Sequence, residues 1–193
     1  MSLQVNKESG VKYDPVFLKI LEDIPGGVTI KTDRFPTTTK EIKKGTLLND
    51  GGSGLHNVIK TVRVTAAGVS GATVLAVEPI DHLFKVGENI FLQGATTGTI
   101  ARVSSTAIAV EAAHNVIASG AVLYEAAAVD TATALYDASG ILRDNVKVRD
   151  EEGNLLDNLF AGAIVRGTVD ESELPYFVTD QQKIDLTARI RFA

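Results

Sequence analysis

Short stretches of alternating apolar and polar residues, separated by glycines, run through most of this chain. Val28-Thr29-Ile30-Lys31-Thr32 and Thr61-Val62-Arg63-Val64-Thr65 each send one class of side chain to either face of an extended strand. Glu41-Ile42-Lys43-Lys44-Gly45-Thr46-Leu47-Leu48 reads as a strand entering a glycine turn and leaving as another strand, followed by the glycine-rich loop Asn49–Gly54. From about Val58 to Glu125 the punctuation quickens. Short strands at Thr61–Thr65, Thr73–Val77, His82–Leu92, Gly98–Val103, Ala107–Val110 and Ser119–Tyr124 follow one another at a spacing of roughly ten residues, the pattern of a small barrel or sandwich. Beyond Ala126 strands are expected at Gly140–Leu142 and Ala163–Val169, and Val146-Lys147-Val148 should pair with Leu155-Leu156 across Asp150–Gly153.

Two places point to helix. Asp14-Pro15 offers a cap and a first-turn proline ahead of Val16–Leu21, so one short helix is expected there, stopped by Pro25-Gly26-Gly27. Thr179-Asp180-Gln181-Gln182 spells a capping box, yet Lys183 to Phe192 alternates strictly; a short helix relaxing into a terminal strand satisfies both. The fold class is therefore mainly β, a β-rich α+β protein with one or two short helices. The change of texture divides the chain into a flexible arm (1–13), a split outer β domain (14–57 plus 126–193) and an inserted small β-barrel or sandwich (58–125), the kind of insertion an exposed loop tolerates.

Composition sharpens the β assignment. Seventeen glycines, abundant Val, Ile and Thr, 6% aromatics and no Trp suit turns and pleated surfaces. A chain of 193 residues buries about 70% of its surface, core enough to fold without cross-links. The absence of cysteine excludes disulfides, a thiol nucleophile and thiolate metal sites. A net charge of −5 argues against a nucleic-acid partner, which needs clustered Lys and Arg. No apolar run approaches the roughly 20 residues that cross a bilayer, and no basic start with an apolar stretch of the secretory kind stands out, so neither a membrane nor a secretion signal is expected.

The motifs of reactive chemistry are incomplete in this sequence. Gly51-Gly52-Ser53-Gly54-Leu55 and Gly68-Val69-Ser70-Gly71-Ala72 each miss the final glycine of a nucleophile elbow and read as turns. No Gly-Lys-Ser/Thr phosphate loop or dinucleotide fingerprint is present. His56, His82 and His114 lack the spacing of a metal pair, and Asp150-Glu151-Glu152 lacks the alternation of a calcium loop. Carboxylates that could pair as acid and base include Asp81, Glu88, Asp130, Asp137, Asp144 and Asp170–Glu173, but few aromatic platforms accompany them for a sugar. The expectation is no catalytic, cofactor-binding or metal residue, no cofactor and no enzyme; a protein without a reactive constellation acts through its surfaces.

Four segments of the flanks resemble the head decoration proteins of tailed bacteriophages. They are Glu41–Leu48, Ala138-Ser139-Gly140-Ile141-Leu142-Arg143-Asp144-Asn145-Val146, Ala163–Pro175 and the closing Arg189-Ile190-Arg191-Phe192. Because the segment 58–125 has no counterpart in that compact fold, the chain resembles a head-fibre protein, a capsid-bound base with a protruding head. The resemblance implies a structural virion protein on the capsid exterior, made in the bacterial cytoplasm, with the major capsid protein as partner and a homotrimer as its assembly. It also implies capsid contact through the arm, at Leu3, Val5, Val11 and Tyr13. The alternative is a carbohydrate- or receptor-binding adhesion module on a virion or bacterial surface, with a host glycan or receptor as partner.

Overall fold

The computed structural model describes residues 15–92, 97–129 and 133–193. The protein is mainly β, 42% strand and 6% helical. The first flank carries β1 (Phe17–Asp23), β2 (Val28–Lys31), β3 (Glu41–Ile42), β4 (Leu47–Asp50) and β5 (Leu55–Val58). Then come β6 (Thr61–Arg63), β7 (Val74–Ala76), β8 (Asn89–Leu92), β9 (Thr97–Val103), β10 (Ala107–Val110) and β11 (Val122–Glu125). The second flank carries β12 (Gly140–Leu142), β13 (Val146–Lys147), β14 (Asn158–Ala161), β15 (Ala163–Val169), a 3-10 turn at Glu171–Glu173, helix α1 (Asp180–Leu186) and β16 (Ile190–Phe192).

Strands of the two flanks interleave in one eight-stranded sheet, ordered β1-β15-β12-β4-β5-β2-β14 with β16 parallel to β15. One residue, Gly162, separates β14 from β15, although they sit at the end and near the start of that path; the sheet curls to bring them together. Strands β3 and β13 form a separate small pair. Between the flanks, β6-β11-β8-β9-β10-β7 make a six-stranded sheet whose end strands meet at the Val64–Val77 bridge, giving it a barrel-like form. It holds a hydrophobic cluster in which Val62, Phe84, Ile90, Ile100, Ile108 and Leu123 are fully buried. The curled eight-stranded sheet carries two further clusters on opposite faces, one with Ile30, Phe35, Leu48 and Leu142, the other with Leu47, Ile141, Ile164 and Leu186. Ile80 touches both the six-stranded core and the first of these.

The expected helix at Val16–Leu21 is not formed; this segment is the strand β1, antiparallel to β15. Local capping favours helix, but β15 offers an unpaired edge along its full length, and filling it satisfies backbone groups that a short helix would leave open. The pairing is uneven. Leu18 and Leu21 fall at register shifts, so each is a bulged residue without a partner opposite. Gly167 permits it, because a Cβ there would lie 2.4 Å from the Lys19 carbonyl oxygen. The glycine in this strand therefore marks close backbone approach rather than a break.

Two other expectations gain detail. The strands either side of Gly45 form, but not as a pair with each other: β3 joins the distant β13, and β4 joins the distant β12 and its sequence neighbour β5. The run Gly51–Gly54 is a tight hairpin turn joining β4 to β5, closed by Gly51 N–H donating to the Leu55 carbonyl at 2.9 Å. At the C-terminus both halves of the mixed signal are realised: the Thr179–Gln182 box caps α1 reciprocally, and the chain then enters β16.

Candidate functional site

The chain passes between the two sheets twice, at Ile59-Lys60 and after Glu125, and charged side chains converge at these crossings. Lys60 lies between the last residue of β5 and the first of β6, and its side chain is only 1% exposed. Its Nζ donates to the Arg34 carbonyl at 2.7 Å and to Glu88 Oε1. Glu88, just before β8, uses its other oxygen to accept from the Lys85 amide at 2.9 Å. Arg34, in the loop after β2, donates through Nη2 to Glu125 Oε1 and through Nη1 to the Tyr136 hydroxyl, with its guanidinium 5.3 Å from the Tyr136 ring centre. Arg34 Nη2 also stands 3.8 Å from Glu88 Oε1, joining both ion pairs in one buried network.

Burial dominates the electrostatics. It pushes the Glu125 carboxyl up to about 7, against the pull of Lys60 and Arg34 and with the help of Glu88. Burial likewise lowers Lys60, outweighing the attraction of Glu125 and Glu88. For Arg34 burial works the other way from the outcome: Glu125 and Tyr136 hold its charge above the usual value in spite of it. Glu125 Oε2 is buried without a hydrogen-bond partner, which adds to the cost of its charge. The network can take up one proton near neutral pH and ties both sheets to a common set of charges.

Further ties flank it. The Tyr176 hydroxyl donates to the Asp81 carbonyl at 2.7 Å, Thr61 Oγ1 donates to the Phe177 carbonyl at 2.6 Å, and Arg63 stacks 3.5 Å over the Phe177 ring. Two open grooves follow the seam between the sheets. One, about 540 Å³, runs past Pro36, Lys40, Asp81, His82 and Ser105; the other, about 640 Å³, runs past Arg63, Glu78, Glu171 and Phe177. His82 borders the first groove with Nε2 3.0 Å from the Ser104 carbonyl.

The residues singled out from sequence are largely dispersed. His56 lies in β5, His82 at the seam, and His114 near the far end of the six-stranded sheet with Nδ1 2.7 Å from the Asn115 carbonyl. Among the described residues no group of three or more His, Asp or Glu is arranged to hold a metal ion. Asp150 tightens a hairpin, its two oxygens accepting from the Asn154 amide at 2.7 Å and side chain at 3.0 Å, which lowers its carboxyl below the usual range. Asp170 caps the 3-10 turn. The arm positions Leu3, Val5, Val11 and Tyr13, and Asp130, lie outside the described residues.

Of the network, sequence reasoning named only Glu88. Lys60 and Glu125 carried a usable signal: each is a lone charge in an otherwise apolar or hydroxyl run, Val58-Ile59-Lys60-Thr61-Val62 and Val122-Leu123-Tyr124-Glu125-Ala126. A single charge among residues bound for the core needs a buried counter-charge. Arg34, in a polar loop, carried none. Comparison with family models, with curated proteins and with solved structures finds no match to this chain.

Proposed function

We propose that this chain is a structural virion protein of a tailed phage or prophage, which decorates or projects from the capsid exterior as a trimer and works by shape and adhesion. One observation carries the reading. The four segments that resemble decoration proteins are distant in sequence, yet their strands lie side by side. β4 pairs with β12 at Leu47–Ile141, β12 with β15 at Ile141–Ile164, and β15 with β16 at Thr168–Arg191. Motifs that share a function are expected to share a surface, and these four share one stretch of sheet. The six-stranded sheet, formed wholly by residues between the two flanks, fits a protruding head on that base.

Co-sedimentation with empty shells of the encoding phage tests the reading. The full chain is expected to coat the shells, and a chain lacking residues 1–13 to remain folded but stay in the supernatant. Failure of the full chain to bind overturns the virion assignment; normal binding of the truncated chain overturns the role of the arm.

A receptor-binding role for the head is favoured by a specific feature. Val69 and Val116, 68% and 69% exposed, sit on loops joined by the Gly68–Ile117 bridge, and the stretch Val64–Val77 carries no charge. Apolar side chains left exposed at a loop cluster are a common feature of contact surfaces. A glycan array above background would support this role, and background binding would remove its carbohydrate form.

A further inference from the structure

The outer face where β1, β15 and β16 lie side by side carries several cations, with Glu22 opposite Arg166 in the register as its acid. Lys19, Thr168 and Arg191 stand in one row across the three strands, because Lys19 pairs with Thr168 and Thr168 with Arg191. Arg166, two residues before Thr168, shares that face. A shallow groove of about 430 Å³ runs beside it, lined by Arg166, Arg189, Val165, Ala188 and one acid, Glu22. Lys19, Arg166, Arg189 and Arg191 are all exposed, and among the described residues none has an ion-pair partner. Next to them the two bulged leucines of β1 project from the sheet edge, Leu18 46% and Leu21 56% exposed. Bulges discourage simple addition of another strand, so this edge is built for side-chain contact. Arginine around exposed aliphatic side chains is the usual make-up of a protein interface.

The complementary element is on the same chain. Asp150-Glu151-Glu152 is its longest acidic run, and it forms the tip of a hairpin. The hairpin is braced: Asp150 is held by Asn154, while Arg149 donates to the Gly153 carbonyl and, at 2.8 Å, to the Thr39 carbonyl. Glu151 and Glu152 are left exposed and, among the described residues, without ion pairs. A fixed knob with two free carboxylates loses little entropy on docking.

We infer that the β1–β15–β16 face of one copy receives the Asp150–Gly153 hairpin of a second copy, Arg166, Arg189 and Arg191 meeting Glu151 and Glu152 while Leu18 and Leu21 supply the apolar contact. Face and knob are different surfaces, so the contact is head-to-tail and generates a ring when its rotation closes. This contact rests on the assembly reading above and supplies its interface. A chain of net charge −5 with four unpaired cations on one face finds its opposite charge on its own copies, whereas a polyanion would meet repulsion from the rest of the surface.

Light scattering on the full chain with charge-reversed variants tests it. The parent is expected to assemble at low salt, and to dissociate as salt rises from about 0.05 M to about 0.5 M. Arg166→Glu/Arg191→Glu and Glu151→Lys/Glu152→Lys should each run at the mass of one chain, with circular dichroism unchanged because all four side chains are exposed. The chain carrying all four reversals should assemble again. Leu18→Ser/Leu21→Ser should weaken assembly at least tenfold without altering its salt dependence. If the parent assembles and the reversals leave its mass unchanged, this contact is wrong while the trimer reading stands. A parent monomeric at low salt also overturns the contact, and shell co-sedimentation then judges the virion reading separately. Arginine-dependent binding to phosphatidylserine vesicles, with no change in mass, would assign the face to a membrane and overturn the contact too.

Discussion

The two sheets of this protein are built from the same kinds of residue by opposite routes. The six-stranded sheet takes all its strands from one continuous stretch, and β8, β9 and β10 pair with their neighbours in sequence. In the eight-stranded sheet β4 with β5 and β15 with β16 do so; β1, β2, β4 and β12 find partners across the chain, from β15 to β14. Local pairing needs little loop closure, whereas the outer sheet must bring its two flanks together around an intervening stretch. The buried charges gather where the chain crosses from one sheet to the other, with Glu125 at the end of β11 and Lys60 just before β6. The seam is thus the point at which the two building plans are reconciled.

Cutting the seam is the most severe way to separate the two. Lys60→Ala takes from the buried Glu88 its hydrogen-bonded cation, leaving only Arg34 at 3.8 Å, and should cost about 3 kcal/mol in denaturant unfolding. Hydrogen exchange in this variant should reveal earlier opening of the outer sheet, while amides of β8–β10 keep their protection the longest. Uniform loss of protection would make the sheets a single cooperative unit and end the contrast.

Titrating the seam is the next test. In the folded protein Glu125 is raised to about 7, above the ordinary unfolded carboxyl, so the folded state holds a proton that the unfolded state gives up. The stabilisation is full below about pH 4.5 and is lost as pH rises through about 7, an expected fall of about 3 kcal/mol between pH 5 and pH 8.5. Glu125→Gln should flatten that part of the stability–pH curve. An unchanged slope would remove Glu125 as its source.

The mildest test touches one sheet alone. Gly167→Ala pushes a methyl group against the Lys19 carbonyl and should cost about 1–3 kcal/mol, loosening β1. Exchange of the β9 and β10 amides should stay at parent values. Matching acceleration there would show that strain at β15 reaches the other sheet.

What the sequence alone determined is the class of structure and most of its strands. Alternation and glycine punctuation fix where backbone extends and turns, since both act within a few residues; Gly98–Val103 and Ala107–Val110 are such a hairpin, and the Thr179–Gln182 box is such a helix start. Tertiary structure alone decided the rest. Pro15–Leu21 carries helical capping yet completes the β15 edge, because the free energy of filling that edge is not encoded near Pro15. The partner of β3 and one of the two partners of β4 lie about a hundred residues away. Arg34 meets Glu125 only once both sheets are folded, and burial, which sets the Glu125 proton affinity, is a property of the assembled seam and of no single residue in it.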